Sequence, residues 1–248
     1  MEKRTDKNLY TILFAIGMVI IVGSLLAFAS AGLKERIEEN KRIEKQLNIL
    51  YAMGVNENEG SSMSFVSKDI VADEFSKYIT KQLVIQGDNV TENTNAYLIN
   101  IKKEQSAAKD DSYKRQLPLF IGEKDGETFY IAPIRGKGLW DAIWGFVAMD
   151  DKMVVQGVFF DHKGETAGLG SNINQRFFMD DFIGEHLLSN GAFKGIKVAK
   201  GNADPKNLDK TDNEVDALAG ATITGDGVSA MVKSELKLYL PYFKNLKK

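Results

Sequence analysis

Residues 216–231, DALAGATITGDGVSAM, set two threonines, Thr222 and Thr224, in a small-residue turn directly ahead of an amphipathic stretch. Val228, Met231, Val232, Leu236 and Tyr239 recur at helical spacing, which predicts a helix beginning near Thr224 or Gly225. A helix start presents backbone N–H groups without intrahelical partners and the positive end of a dipole, and both favour a phosphate. Gly220, Gly225 and Gly227 would let the backbone lie close to such a group. A threonine hydroxyl held there could bond a phosphate or be esterified to one. Spacing alone leaves a plainer alternative beside this one, in which Thr224 is an N-cap and Gly-Ala-Thr an ordinary tight turn.

Outward from this stretch, two more glycine-rich segments fall at expected strand ends. RGKGLW, residues 135–140, closes one strand and precedes another; DHKGETAGLG, residues 161–170, follows an apolar strand. Glycines at such places let backbone rest against a flat ligand, with Trp140 or Leu169 as an apolar wall. Ordinary loops with turn glycines would read the same way. The G-x-G-x-x-G spacing of a dinucleotide site is absent.

Between Lys7 and Lys34 no residue is charged, and residues 9–33 are long enough to cross a bilayer, which takes about 20 apolar residues. AFASAG, residues 27–32, resembles a signal-peptidase site, but the apolar run exceeds a signal core, so an uncleaved anchor is expected. Lys3, Arg4 and Lys7 precede the span and Lys34, Arg36, Lys41 and Arg42 follow it, so charge does not orient it. The expected organisation is an N-terminal tail at 1–8, the span at 9–33, a charged helix and polar linker at 34–62, and one domain at 63–248. Ile43, Leu47, Leu50 and Tyr51 form a narrow stripe on that charged helix, which suits light packing.

Within the domain, helices are expected at 68–83 and 173–188, the latter with Phe177, Phe178, Phe182 and Ile183 inward. Strands are expected at 96–101, 127–134, 144–149, 153–160 and 196–199, with charged or polar connections at 102–115 and 201–214. Such a mixed order belongs to an α+β domain.

The chain has 248 residues, 44% hydrophobic and 27% charged, with a net charge of -2; this suits a folded core and gives no sign of a nucleic-acid partner. It has no cysteine, which excludes disulfides, thiolate nucleophiles, cysteine-ligated iron–sulfur clusters and cysteine zinc sites within it. The two histidines, His162 and His186, are too few for a His-rich metal site and suit surface or hydrogen-bonding roles.

Asp216, two residues, then Ala219-Gly220-Ala221-Thr222 resembles the flavinylation motif of FMN-binding domains in bacterial respiratory complexes: Asp, any two residues, Ser or Thr, Gly, Ala, Thr. It departs at Ala219, which lacks the usual hydroxyl. KGLW and HKGETAGLG, with the anchor and the helix after it, resemble the C-subunit family of the sodium-translocating NADH:quinone oxidoreductases. Here Lys163 is inserted between His and Gly, and Ala167 stands for the usual Pro.

The resemblance implies one N-terminal transmembrane helix followed by a single mixed α+β FMN-binding domain, outside the cytoplasm at a bacterial inner membrane. It implies FMN joined through its phosphate to Thr222 by a flavin transferase that reads Asp216, with Gly220, Ala221 and Thr224 around the acceptor. Glu165, Thr166 and Leu169 would lie against the isoalloxazine, Gly168 and Gly170 would give room, and Gly138 and Trp140 would form a wall. No catalytic residue and no metal ligand is implied. The protein would pass electrons singly between other subunits of a membrane complex that oxidises NADH, reduces quinone and exports sodium.

Two other functions fit the same chain. One is the equivalent flavin subunit of the ferredoxin:NAD oxidoreductase complex; the other is a non-redox, membrane-anchored extracytoplasmic binding protein, which Ala219 favours. A hydrolase using Thr222 has no adjacent His or Lys base in the motif.

Overall fold

The structure, a computed structural model, describes residues 8–201, 204 and 207–246. Residues 1–7, with Lys3, Arg4 and Lys7 of the expected tail, lie outside it, as do 202, 203, 205 and 206 of the expected polar loop and 247–248. The chain divides into two compact units, Met1–Arg42 and Ile43–Lys248. In the first, α1 (Asn8–Gly32) is a 25-residue apolar helix with no buried residue, long and apolar enough to cross a membrane. At about 1.5 Å per residue it exceeds the roughly 30 Å of a bilayer's hydrocarbon core.

The second unit begins earlier than residue 63. The division falls within α2 (Lys34–Ala52), whose last six residues, Leu47 to Ala52, are all buried, with Met53 following. Ile49, Ala52 and Met53 widen the narrow stripe into a core-facing end. The expected linker is a stapled turn: Asn58 Nδ2 donates to Tyr51 Oη at 3.1 Å and Ser64 N donates to Asn58 Oδ1 at 2.8 Å.

Six strands form one antiparallel sheet: β1 (Ile79–Gln86), β2 (Asn89–Glu92), β3 (Leu117–Lys124), β4 (Glu127–Lys137), β5 (Ala142–Met149) and β6 (Val155–His162). Their order is β2-β1-β3-β4-β5-β6. The hairpin expected around MDDK is β5–β6, and β6 is buried along most of its length, as its apolar run requires.

Glycines show which elements cover each face. Register puts Gly122 of β3 and Gly157 of β6 on one face, where Met53 and the Ala52 carbonyl press so closely that a Cβ would stand 2.8 and 2.4 Å away. Gly136 of β4 points to the other face, under Met231 of α6 (Thr222–Lys237), with a Cβ only 2.7 Å from Met231 Cβ. The sheet is therefore sandwiched between the end of α2 and α6.

Several local expectations change. At 68–83 the chain forms α3 (Val71–Tyr78) and then enters β1, because Ile79 takes extended backbone and Leu83, Val84 and Ile85 are all buried in the sheet. Residues 96–101 are a 3-10 turn (Ala96–Leu98) and the start of α4 (Ile101–Ala107), where Asn100 Oδ1 accepts from Lys103 N and caps the helix. β3 had no forecast, since Pro118 interrupts its pattern; its first residues pair with β1 while Tyr239 Oη donates to the Pro118 carbonyl at 2.9 Å.

The forecast helix at 173–188 reduces to a 3-10 turn (Gly170–Asn174) and α5 (Arg176–Asp180). Phe182 packs edge-on against Phe160 and Phe178, which are tilted to one another, but Phe177 and Ile183 are exposed, and the turns after α5 close at Gly184, φ +85. Short strands β7 (Leu188–Ser189) and β8 (Ala192–Phe193) form a hairpin, and β9 (Lys197–Val198) pairs in parallel with β10 (Glu214–Val215).

Glu185, after α5, is fully buried, and among the described residues neither carboxyl oxygen receives a hydrogen bond. Burial pushes its carboxyl up to about 7, only partly opposed by the Lys210 ammonium 3.8 Å away. The folded state therefore keeps a proton that the unfolded chain, titrating near 4.5, has lost. Stability should fall as pH rises from about 4.5 to about 7, and Glu185→Gln should flatten that slope in urea titrations followed by tryptophan fluorescence. By the same assay Gly157→Ala should cost about 1–3 kcal/mol through overpacking against the Ala52 carbonyl, while Gly201→Ala, with open space around it, should stay within about 0.5 kcal/mol.

Candidate functional site

The site is built around the start of α6. Gly220, at φ +68, turns the chain, and a Cβ there would lie 2.9 Å from Leu169 Cδ2. Ala221 is the N-cap, with no side-chain capping bond, so the helix begins at Thr222 rather than at Thr224 or Gly225. Thr222 and Ile223 are exposed, and the first backbone N–H groups have neither an intrahelical acceptor nor a side-chain cap.

Thr224 is not a cap. It is the third helical residue, only 1% exposed, and its hydroxyl donates to Glu165 Oε2 at 2.7 Å. Glu165 Oε1 accepts from the backbone N–H of Trp140 at 3.0 Å and of Asp141 at 3.5 Å. Glu165's own N–H donates to His162 Nδ1 at 3.1 Å. Burial would push the Glu165 carboxyl up, but the Thr224 hydroxyl and the N–H groups of Trp140, Asp141 and Leu139 outweigh it and hold the carboxyl below its ordinary range.

This clasp explains two glycines differently from the sequence reading. A Cβ on Gly138 would stand 2.5 Å from Glu165 Oε1, and one on Gly170 would stand 2.5 Å from Thr224 Oγ1 and 2.7 Å from Glu165 Oε2. Both make room for the carboxylate. Gly168, at φ +74 with nothing within 4 Å of a Cβ, lies on the open side.

Around the clasp the surface is apolar and open. Trp140 is 67% exposed, its indole N–H donating to Thr166 Oγ1 at 3.1 Å, and Leu139, Leu169 and Ile223, on the segments the clasp joins, are exposed as well. Leu139 and Ile223 were not singled out from sequence, although both lie inside the motifs; His162 was read only as a hydrogen-bonding group. A cleft of about 450 Å³ lined by Glu127, Tyr130, Asp150 and Gln156, among others, shares no residue with the site.

Asp216 stands apart from the clasp. It is half-buried, and burial first, then the Asp204 charge, raise its carboxyl, with Lys210 opposing. Burial and the Asp216 charge in turn push Asp181 up to about 6, while Lys210 Nζ donates to the Asp181 carbonyl at 2.8 Å. Ala219 is exposed. Among the described residues no group of three His, Asp or Glu side chains is spaced to hold a metal.

An exposed hydroxyl at an uncapped helix start suits a phosphate ester, and the apolar face beside it suits a flat ring. Residues 138–237 match the FMN-binding domain family. The C subunit of the Na(+)-translocating NADH-quinone reductase of Neisseria meningitidis is 28% identical, covering 100% of this chain and 98% of the relative. That of Vibrio anguillarum is 28% identical, covering 92% and 90%. The crystal structure of the same reductase's C subunit from Parabacteroides distasonis superposes with a TM-score of 0.71 at 29% identity, covering 85% of this chain and 96% of that one. Residues 138–237 are thus similar to the FMN-binding domain family, and relatives that match over most of the chain's length are C subunits of Na(+)-translocating NADH-quinone reductases.

Proposed function

We propose that this chain is the flavin-carrying C subunit of a membrane NADH:quinone reductase coupled to sodium export, with FMN esterified through its phosphate to Thr222. The observation that carries the reading is the position of Thr222: exposed, first in an uncapped 16-residue helix, and last in the Asp216–Thr222 motif. A phosphodiester there would keep one negative charge at the positive end of α6, an arrangement worth about 0.3–1 kcal/mol at a surface.

When bound, the flavin supplies one-electron chemistry, and no residue of this chain need act as acid, base or nucleophile in turnover. The chain's part is to fix and surround it. The α6 N–H groups would hold the phosphate, Leu169, Trp140 and Ile223 would offer the ring apolar surface, and Thr166 accepts from the Trp140 indole N–H. Asp216 is read as part of what a flavin transferase recognises before attachment. α1 anchors the protein, and the FMN-binding domain lies on the extracytoplasmic side, where other subunits of the complex donate and accept electrons. α1 carries no charged residue of the kind that marks an ion path, so sodium would cross elsewhere in the complex.

Intact mass of the protein co-expressed with a flavin transferase tests the attachment. A gain equal to FMN less one water, with in-gel flavin fluorescence, is expected for the wild type and lost in Thr222→Ala. Absence of the adduct beside an active transferase would leave an anchored binding domain in which Ala219 marks a lost site. With attachment found, Ala219→Ser should label at least as fast as the wild type.

A further inference from the structure

Glu165 is an ionised, buried carboxylate with no cation beside it. Among the described residues its partners are the Thr224 hydroxyl, the Trp140 and Asp141 N–H groups, and the His162 Nδ1 that receives its own N–H. None of these is a lysine or an arginine, and His162 meets the Glu165 segment only as the acceptor of its backbone N–H at Nδ1. The nearest lysine in sequence, Lys163, is engaged by Asp141 at 2.8 Å. Neutral dipoles thus hold the charge in place without cancelling it.

The chain gives up two side chains to admit this group, at Gly138 and Gly170. It also sets the charge close to the acceptor. Thr224 Oγ1 touches the carboxylate at 2.7 Å, and Thr222 lies two residues earlier in the same helical turn, its Cα about 5 Å from that of Thr224 by helix geometry although the two side chains leave the helix in different directions. The exposed faces that would bed a ring, Trp140 and Leu169, sit on the segments that the carboxylate clasps. A carboxylate that is itself 7% exposed is screened less than a surface charge, so it alters the energy of a second charge brought near it.

We propose that Glu165 is the fixed negative charge that makes the Thr222-linked flavin harder to reduce, and so sets its potential below that of free FMN. This rests on the reading of Thr222 as the attachment point. Each electron entering the flavin adds negative charge, and the Glu165 field opposes that step; replacing the carboxylate by a neutral group of the same shape removes the opposition. Glu165→Gln is that replacement. Its amide oxygen still accepts from the Trp140 N–H, and its NH2 donates to a Thr224 hydroxyl turned to accept.

The experiment is a spectroscopic redox titration with dithionite of the full chain in detergent, after intact mass has established the adduct in each protein. Wild type should titrate below free FMN. Glu165→Gln should titrate higher than wild type, with the reduced-to-oxidised ratio at a given solution potential raised about tenfold, equivalent to about 59 mV for a one-electron step. Thr224→Val, which removes a donor but leaves the charge, should not move upward. A Glu165→Gln potential equal to wild type, with the adduct present in both, would overturn the proposal and leave Glu165 a structural clasp. If Glu165→Gln takes no flavin, a wild-type potential at or above that of free FMN overturns it equally. No adduct on wild type would remove the attachment reading and this proposal together, whereas an adduct with unshifted potentials removes only this proposal.

Discussion

The hydrogen bond from Thr224 Oγ1 to Glu165 Oε2, 2.7 Å long, joins residues 59 positions apart and closes the face on which the site lies. Glu165 reaches it from the loop after β6, Thr224 from the first turn of α6, and the second carboxyl oxygen takes N–H groups from the turn after β4. A carboxylate is pure acceptor, so from its own segment it can gather donors from two others at once where an amide would offer one oxygen. Stripped of them it would be a buried charge of high cost. The bond therefore requires all three segments to be in place together, and the absence of side chains at Gly138 and Gly170 is a condition of it.

α6 can serve as a fixed post because it is tied along its length. Arg115 grips Glu235 with two bonds, at 3.0 and 2.6 Å, where both side chains are largely buried, and removing one partner of such a pair typically costs about 3–5 kcal/mol. Ser229 Oγ accepts from the β9 backbone at Val198 N, 2.9 Å away, and donates to the Gly225 carbonyl at 2.8 Å. Gly227 lets the helix backbone lie against the Lys137 carbonyl at the end of β4, where a Cβ would come within 2.4 Å. The helix start is consequently held by the sheet rather than by its own cap, which leaves its N–H groups free of intramolecular duty. A capping side chain at Ala221 would have taken one of them.

The sequence disclosed elements whose signal is local and hid those whose signal is not. β4 through β6 were readable because their apolar runs are bounded by turn residues at 125–126 and 150–152. α6 was readable from its periodicity, yet its first residue was misplaced by two, because Thr224 resembles a cap in sequence and spends its hydroxyl on a residue 59 positions away. β1 merged with the preceding helix because Val71, Phe75 and Ile79 keep a four-residue interval across the change from helix to strand. Light packing was expected of the end of α2, whose burial depends on Gly122 and Gly157 leaving hollows in strands far along the chain. The glycine-rich segments stand out in the sequence, but why Gly138 and Gly170 are glycine could be learned only from the position of the Glu165 side chain.

If the attachment proposed at Thr222 is made, openness and covalent attachment belong together in this architecture. Sites that hold a small molecule by contact alone commonly bury some 70–90% of it, and here the walls are a helix start and a few exposed apolar groups rather than a pocket. Deepening the face would conflict with the clasp, because Gly138, Gly170 and Gly220 already bring backbone and side chains to contact behind it. On the proposed reading, a single bond to Thr222 supplies the retention that this shape lacks, and it does so at the end of the most firmly anchored helix. The exposed edge is then left for electron exchange with neighbouring carriers. A deeper pocket would retain the cofactor without a bond, but it would bury the edge that an electron carrier has to present.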